Sequence, residues 1–312
     1  MRLFGLFRQA VKGAKMVAAD PVTAASLVSP RKSPLALSPE FYLTVLGCTA
    51  RLPALSQLAN PGAVGGAVEG LPVPLNRNAT KDALDQPIER GAYAIASKNK
   101  KTLLSMIVMH PEEAGYDPTP VVNSPLAAAM HPDLLLRLRS TWHLVQFSFK
   151  TYDPAVYPAL DLLLDVATRL ATLSEGAIAD PLAQRYLLPH ELKMNPRAAP
   201  LADAREHIAV HRIASGAKVR VFTKGMVKFA LPELEMQDVR QERSLQAEAV
   251  LMSLAQEALL GSPIAEGDSV SVGGKGKLTA YPGGQDRGLW EGIAVLELLP
   301  ERGDINDHLV GG

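Results

Sequence analysis

The sequence predicts an α+β fold built from two units, each a mixed or antiparallel sheet with helices packed on one face. Two observations support this prediction. Short apolar or alternating runs of strand length stand beside two longer stretches whose apolar residues recur at helical spacing. The order strand, strand, helix, strand also occurs in both halves of the chain, which raises the hypothesis of an internal duplication.

The first unit contains three predicted strands and one helix. Residues 102–109 are an apolar run of strand length, and residues 143–150 alternate between apolar and polar side chains. A helix is expected to begin at Asp153 and to end at Gly176. Residues 177–188 then return as extended chain through a turn. The inward face of the helix is expected to carry Leu160, Leu163, Leu164, Ala167 and Leu170.

The second unit contains further strands and a second helix. Extended segments are expected at 207–214, 218–222, 226–231, 269–281 and 292–299. Ser215-Gly216 between the first two is typical of a hairpin turn. Residues 242–260 are expected to form a helix that ends at Gly261. Its inward stripe is expected to be Leu245, Ala249, Met252, Ala255 and Leu259.

Proline and glycine clusters suggest where the units begin and end. The expected divisions are an N-terminal arm at 1–58, a Gly/Pro-rich loop at 59–90, a first unit at 91–192, a second unit at 193–305 and a C-terminal tail at 306–312.

Composition excludes several classes of protein. The 312 residues are 47% hydrophobic and 21% charged, which is typical of a globular chain rather than a disordered or coiled-coil one. Thirty-two basic residues balance thirty-two acidic ones, so we expect no specific nucleic-acid binding. The single cysteine, Cys48, cannot form an intrachain disulfide, which predicts a cytoplasmic location. Its apolar neighbours favour an inert thiol.

The first seventeen residues form a basic amphipathic pattern. Leu3, Phe4, Phe7, Val11 and Ala14 recur at helical spacing, while Arg2, Arg8, Lys12 and Lys15 fill other positions and no acidic residue precedes Asp20. Such a segment could dock on a protein, contact a membrane surface peripherally, act as a targeting peptide, or pack on its own domain. The residues expected to dock are Phe4, Phe7, Arg8, Val11 and Lys12.

Charged residues cluster between 220 and 238. Gly225 permits a turn, and the acidic residues after Pro232 favour a helix N-terminus beyond it. One interpretation is a solvated corner held by salt bridges. The other is a surface that orients a charged ligand or partner. Its expected members are Arg220, Lys224, Lys228, Glu233 and Glu235.

The same region carries a resemblance. The segment Thr223-Lys224-Gly225-Met226-Val227-Lys228-Phe229-Ala230-Leu231-Pro232-Glu233-Leu234-Glu235 resembles one found in bacterial proteins classed as a domain of unknown function. The likeness extends to Gly176–Pro181 and concerns the C-terminal half of the chain. It implies a bacterial α+β domain and no mechanism.

Familiar chemical motifs do not occur in the sequence. His207 and His211 would lie about 13 Å apart on one strand, too far for one metal ion. Asp161 and Asp165 fall outside the leucine stripe of their helix and are expected to be exposed. Residues 273–277 lack the spacing of a nucleotide-binding loop and are typical of a hairpin tip. We therefore expect neither a metal nor a cofactor.

Three functions follow as hypotheses. The leading one is a noncatalytic protein-interaction or scaffold module that binds a protein partner or self-associates. The alternative is an enzyme whose dispersed site surrounds the 220–238 corner, with Lys224, Lys228, Glu233 and His211 as candidates. A remote alternative is a ubiquitin-like modifier that uses the terminal Gly311-Gly312.

Overall fold

The structure, a computed structural model, describes residues 36–59, 70–74, 84–97, 101–152, 156–192, 203–272, 276–290 and 292–309. Within these ranges the chain divides into two units. The first contains the described residues from Pro39 to Leu192, and the second contains Ala36–Ser38 together with 203–309. Each unit combines a sheet with helices, so the predicted α+β class is confirmed.

Seven strands form the sheet of the first unit. They are β1 (Tyr42–Gly47), β2 (Gly70–Pro74), β3 (Gly91–Ser97), β4 (Leu103–Met109), β5 (His143–Thr151), β6 (Ala177–Asp180) and β7 (Arg185–Leu187). Their order across the sheet is β2-β3-β4-β5-β1-β6-β7, and all neighbouring pairs are antiparallel. The strands predicted at 102–109 and 143–150 and the turn before β7 are confirmed.

Four helices accompany this sheet. They are α1 (Leu55–Ala59), α2 (Thr119–Val122), α3 (Pro132–Arg139) and α4 (Val156–Leu173). The five side chains predicted for the inward face of α4 are all buried, because this helix packs on β1, β5 and β6. The proposed cap at Asp153-Pro154 lies outside the described residues. Leu134 and Leu138 of α3 pack with Leu46 and Leu144 of the sheet.

Gly176 is required for close packing rather than for its own backbone angle. The residue with positive φ after α4 is Glu175, at 51°. The Gly176 N–H closes the helix by donating to the Ala171 carbonyl at 2.7 Å, as in a Schellman motif. A Cβ atom on Gly176 would lie 2.3 Å from the carbonyl oxygen of Leu46 in β1. Glycine therefore allows the chain to leave α4 directly against the sheet.

Six strands form the sheet of the second unit. They are β8 (Ala209–Ser215), β9 (Lys218–Lys224), β10 (Glu233–Arg240), β11 (Ser269–Val272), β12 (Gly276–Pro282) and β13 (Val295–Pro300). The order is β11-β12-β13-β10-β9-β8, with β10 and β13 parallel and the other pairs antiparallel. The strand orders of the two sheets differ and therefore give the hypothesis of an internal duplication no support. The duplication stays a prediction.

Three sequence predictions in this unit need correction. The strand expected from His207 begins at Ala209, because residues 204–207 are helical. Residues 226–229 form a 3₁₀ turn and not an extended segment, since Gly225 at φ 115° and Ala230 at φ 53° reverse the chain on either side. The extended segment expected at 269–281 consists of two strands, β11 and β12, which pair antiparallel on either side of the hairpin tip predicted at 273–277. The hairpin turn at Ser215-Gly216 is confirmed, with Gly216 at φ 62°.

The second unit contains α5 (Ala204–His207), α6 (Ser244–Leu259), α7 (Arg287–Trp290) and α8 (Ile305–His308). The predicted helix α6 is confirmed, and it packs on β8, β9 and β10. Its predicted inward stripe is wrong at three of five positions: Leu245 and Ala249 are exposed and Met252 is half-buried. The face that packs on the sheet carries Ala247, Leu251, Leu254, Ala255 and Ala258.

The predicted domain boundaries also change. The segment assigned to an arm at 1–58 contains β1, an interior strand of the first sheet, which pairs with β5 on one side and with β6 on the other. The loop assigned to 59–90 contains β2, which pairs with β3. The tail assigned to 306–312 contains most of α8, where the buried Asn306 side chain accepts from the Arg240 N–H at 2.7 Å.

Candidate functional site

The charged residues of the 220–238 region are mostly buried. Lys224, Lys228, Glu233 and Glu235 are each 2% exposed or less. We call Lys224, Glu233 and Glu235 the buried charge cluster. Their burial contradicts the solvated corner expected from the sequence. The helix N-terminus expected beyond Pro232 is also wrong, because Glu233 and Glu235 lie in strand β10.

Glu233 holds the turn between β9 and β10 together. One carboxylate oxygen accepts from the backbone N–H groups of Gly225 and Val227, at 2.8 and 3.3 Å. The other accepts from the Thr223 hydroxyl at 2.7 Å. Complete burial raises the pKa of Glu233, and the Thr223 hydroxyl is the largest influence that lowers it. The Glu233 side chain thus supplies the acceptors that a tight turn cannot supply from its own backbone.

The Lys224 ammonium group packs against the ring of Trp290. Its Nζ is 3.9 Å from the ring centroid of Trp290 and donates to the Leu289 carbonyl at 3.2 Å. Trp290 in turn packs edge-on against Phe222, with ring centroids 5.3 Å apart. Burial lowers the pKa of Lys224 to about 8, although Glu233 and Glu235 act in the opposite direction. The ammonium group is therefore stabilised by a ring face and a carbonyl rather than by water.

Glu235 is less completely satisfied than Glu233. Its Oε1 accepts from the Gly284 N–H at 2.9 Å. Its Oε2 and the indole N–H of Trp290 are buried without a hydrogen-bond partner among the described residues. A Cβ atom on Gly283 would lie 2.8 Å from Glu235 Oε1, so this loop needs glycine to approach the carboxylate. Glu297 pairs in register with Glu235, and its pKa is raised by burial first and then by the Glu235 charge.

The two other predicted ligand residues lie apart from this cluster. Lys228 donates from Nζ to the His207 carbonyl at 2.6 Å and is 1% exposed. Arg220 is partly exposed and forms an ion pair with Asp286 at 3.2 Å and a hydrogen bond to Gln237 at 3.3 Å. A cavity of about 220 Å³ includes Arg220 in its lining. Of the five predicted ligand residues, only Arg220 therefore reaches open space.

A larger groove, of about 610 Å³, follows the outer face of α6. We call it the α6 groove. Its apolar lining is formed by Leu245, Ala249 and Met252, which are three residues of the stripe predicted to face inward. Leu245 is 66% exposed. Gln256 joins the groove to α5, because its Oε1 accepts from the Ala204 N–H at 2.8 Å.

The charged lining of the α6 groove is predominantly acidic. Three carboxylates and one guanidinium line it, namely Asp203, Glu248, Glu257 and Arg205. Asp203 and Arg205 pair at 3.9 Å, and Glu248 pairs with Arg212 at 3.7 Å. The Glu257 carboxylate forms no ion pair within the described part of the chain. An apolar floor beside carboxylates suits an amphipathic ligand with basic side chains.

The remaining residues singled out in the sequence do not form a site. His207 is buried at the end of α5 with its ring 5.4 Å from that of Phe229, while His211 lies in β8 against Phe222. Among the described residues, no group of three or more His, Cys, Asp or Glu side chains is placed to hold a metal ion. Burial raises the pKa of the half-buried Cys48 thiol.

Asp165 was expected to be exposed and is buried instead. Its Oδ2 lies 3.3 Å from Nη2 of the fully buried Arg169, which also donates to the Leu58 carbonyl at 3.2 Å. The pair therefore links α4 to α1 and belongs to the packing of the first unit.

Three of the predicted features lie outside the described residues. They are the docking segment with Phe4, Phe7, Arg8, Val11 and Lys12, the 273–275 part of the hairpin tip, and the terminal diglycine. In the described ranges, no helix has the length and apolarity needed to cross a membrane.

No protein-family model, curated protein or solved structure matches this chain. The resemblance of Thr223–Glu235 to a bacterial family of unknown function therefore stays a prediction.

Proposed function

We propose that the chain is a noncatalytic protein-interaction module whose partner binds in the α6 groove. The observation that carries the proposal is the second apolar stripe of α6. Leu245, Ala249 and Met252 recur at helical spacing on the side of the helix that faces away from the sheet. Apolar side chains grouped in a concave surface indicate binding more than apolar side chains scattered singly.

The burial of the charge cluster favours binding over catalysis. A catalytic lysine or carboxylate must contact substrate, and a substrate site is normally a concave pocket. Neither the α6 groove nor the 220 Å³ cavity is lined by Lys224, Lys228 or Glu233. In the competing enzyme hypothesis, these residues would have to be uncovered before they could react, and for Lys224 this requires movement of Trp290.

We also propose that the module works in the cytoplasm. The support is its single cysteine, Cys48, which suits a reducing compartment. Two kinds of partner are consistent with the α6 groove, a different protein or a segment of this chain. Both would present apolar side chains to Leu245 and Met252.

The proposal is tested by photocrosslinking from the groove. The exposed Ser253 lines it and is replaced by p-benzoylphenylalanine in the full chain, which is irradiated in cells. We expect one discrete adduct, whose partner is then identified and purified. That partner should bind the chain about tenfold more weakly after Leu245→Arg, because the contact of one leucine is worth roughly 1.5 kcal/mol.

The control carries the same probe at Glu266, an exposed position outside the groove. If the Ser253 probe yields neither an adduct with a partner nor an intrachain insertion beyond those of the Glu266 probe, the proposed binding surface is wrong. The same conclusion follows if the purified partner binds the Leu245→Arg chain as tightly as the original chain.

A further inference from the structure

We infer that the α6 groove binds residues 1–17 of its own chain as an amphipathic helix. We call this segment the arm. The inference rests on the proposed function, since it names one occupant of the same groove. Three observations support it: an apolar stripe long enough to cover the floor of the groove, opposite charge, and the attachment of residues 36–38 to the second unit.

The apolar stripe of the arm is long enough to cover that of the groove. In the arm the stripe runs from Leu3 to Ala14, which is eleven residues further along the chain. In α6 the stripe runs from Leu245 to Met252, which is seven residues further. In helical conformation these stripes would span about 16 Å and about 10 Å. A helical arm could therefore cover the whole apolar floor of the groove.

The charges of the two surfaces are opposite. The arm carries Arg2, Arg8, Lys12 and Lys15, and no acidic residue occurs before Asp20. The groove is lined by three carboxylates and one guanidinium, and Glu257 forms no ion pair within the described residues. Basic side chains that flank an apolar stripe would then face the acidic rim of the groove.

The described chain begins on the unit that contains the groove. Residues 36–38 belong to the second unit, where Leu37 is buried and the Ser38 N–H donates to the Lys228 carbonyl at 2.7 Å. The arm is joined to this point by residues 18–35, a connection that can extend to about 60 Å. A unit of this size has a radius of gyration of about 13 Å, so the arm can reach any part of its surface. Tethering also gives the arm a millimolar effective concentration at the groove.

The test places p-benzoylphenylalanine at Phe7 in the full chain at about 1 µM, where intrachain contact is favoured. We expect a crosslinked product of monomer mass, with insertion mapped by mass spectrometry to residues 245–256. The matched control carries the probe at Gln9, which falls on the opposite side of an arm helix because two residues turn it by about 200°. Gln9 should give little insertion in the groove.

Two substitutions examine the two sources of affinity. Leu245→Gln should lower the Phe7 crosslink about fivefold through loss of apolar contact without a change of charge, and the exposure of Leu245 means that the fold tolerates the change. Glu257→Lys should lower it about two- to threefold, because one attraction becomes a repulsion. Glu266→Lys, at an exposed site outside the groove, should leave the yield unchanged.

Several results would overturn the inference. These are insertion outside residues 245–256, equal yields from Phe7 and Gln9, or yields unaffected by Leu245→Gln. A product of twice the monomer mass would assign the arm to a second copy instead. If the probe does not insert in the groove and the chain cosediments with vesicles of phosphatidylserine and phosphatidylcholine, the arm would be assigned to a membrane surface. In each case a partner captured by the Ser253 probe would leave the interaction module standing, so the two failures are distinguishable.

Discussion

Removing the Glu233 carboxylate should destabilise the second unit more than any exposed substitution does. Glu233→Ala leaves the N–H groups of Gly225 and Val227 without their acceptor, and each stranded donor costs about 1–3 kcal/mol. The Thr223 hydroxyl loses less, because it can turn to the Leu234 carbonyl, which lies 3.5 Å away. The variant no longer has to bury the Glu233 carboxylate, and this offsets part of the loss in stability. We expect a net loss of about 3 kcal/mol.

Glu233→Gln separates acceptor geometry from charge. The amide oxygen can accept from the same two N–H groups, and the amide nitrogen can face the Thr223 hydroxyl. We therefore expect a loss of only about 1 kcal/mol. Unfolding by urea is followed by fluorescence of the buried Trp290 in a background with Trp142→Phe, which removes the only other tryptophan.

The control for this comparison is Glu266→Ala, an exposed glutamate for which the change should stay within about 0.5 kcal/mol. A Glu233→Ala loss no larger than that of the control would refute the assigned role. Equal losses for the alanine and glutamine variants would show that charge, and not the two accepted hydrogen bonds, stabilises the turn.

Two further predictions concern stability. Gly176→Ala should lower the stability of the first unit by at least about 2 kcal/mol, because the added Cβ would lie 2.3 Å from the Leu46 carbonyl oxygen. Thermal unfolding measures this change, and an unfolding temperature equal to that of the original chain would contradict the prediction. The depressed pKa of Lys224, about 8 against 10.5, means that the folded state loses its proton first as pH rises. The free energy of unfolding should therefore increase between pH 8 and pH 10.5, by up to roughly 3 kcal/mol, and change little below pH 8, where both states hold the proton. Subtracting the profile of Lys224→Met, measured by urea unfolding, isolates this contribution, and a flat difference would contradict it.

The first unit was predicted well wherever local pattern and burial coincide. Alternation in 143–150 and the leucine stripe of α4 reflect side chains that are inward in the structure. Strand β1 was missed although Tyr42–Gly47 is an apolar run of strand length. Its antiparallel partner β5 lies about a hundred residues further along the chain, and a single sequence does not show such a pairing.

The buried charge cluster was misinterpreted for a similar reason. Lysine and glutamate are almost never fully buried unless they are paired, so exposure was the reasonable expectation for Lys224 and Glu235. Trp290 covers Lys224 from about 65 residues further along the chain, and the glycine pair Gly283-Gly284 covers Glu235 from about fifty residues further along. The adjacent glycines were a signal of close backbone approach, but nothing in the sequence indicated which strand they approach.

Helix α6 shows how an error about orientation can be informative. Its apolar residues recur at helical spacing on two sides, so periodicity predicted the helix correctly but selected the wrong side for the core. Leu251 and Leu254 pack on the sheet, while Leu245 and Met252 line the α6 groove. Apolar side chains grouped on an exposed face indicate a binding surface. One side is covered by the fold of the second unit itself. The other side is therefore where we expect a binding segment, and its acidic rim favours a basic one.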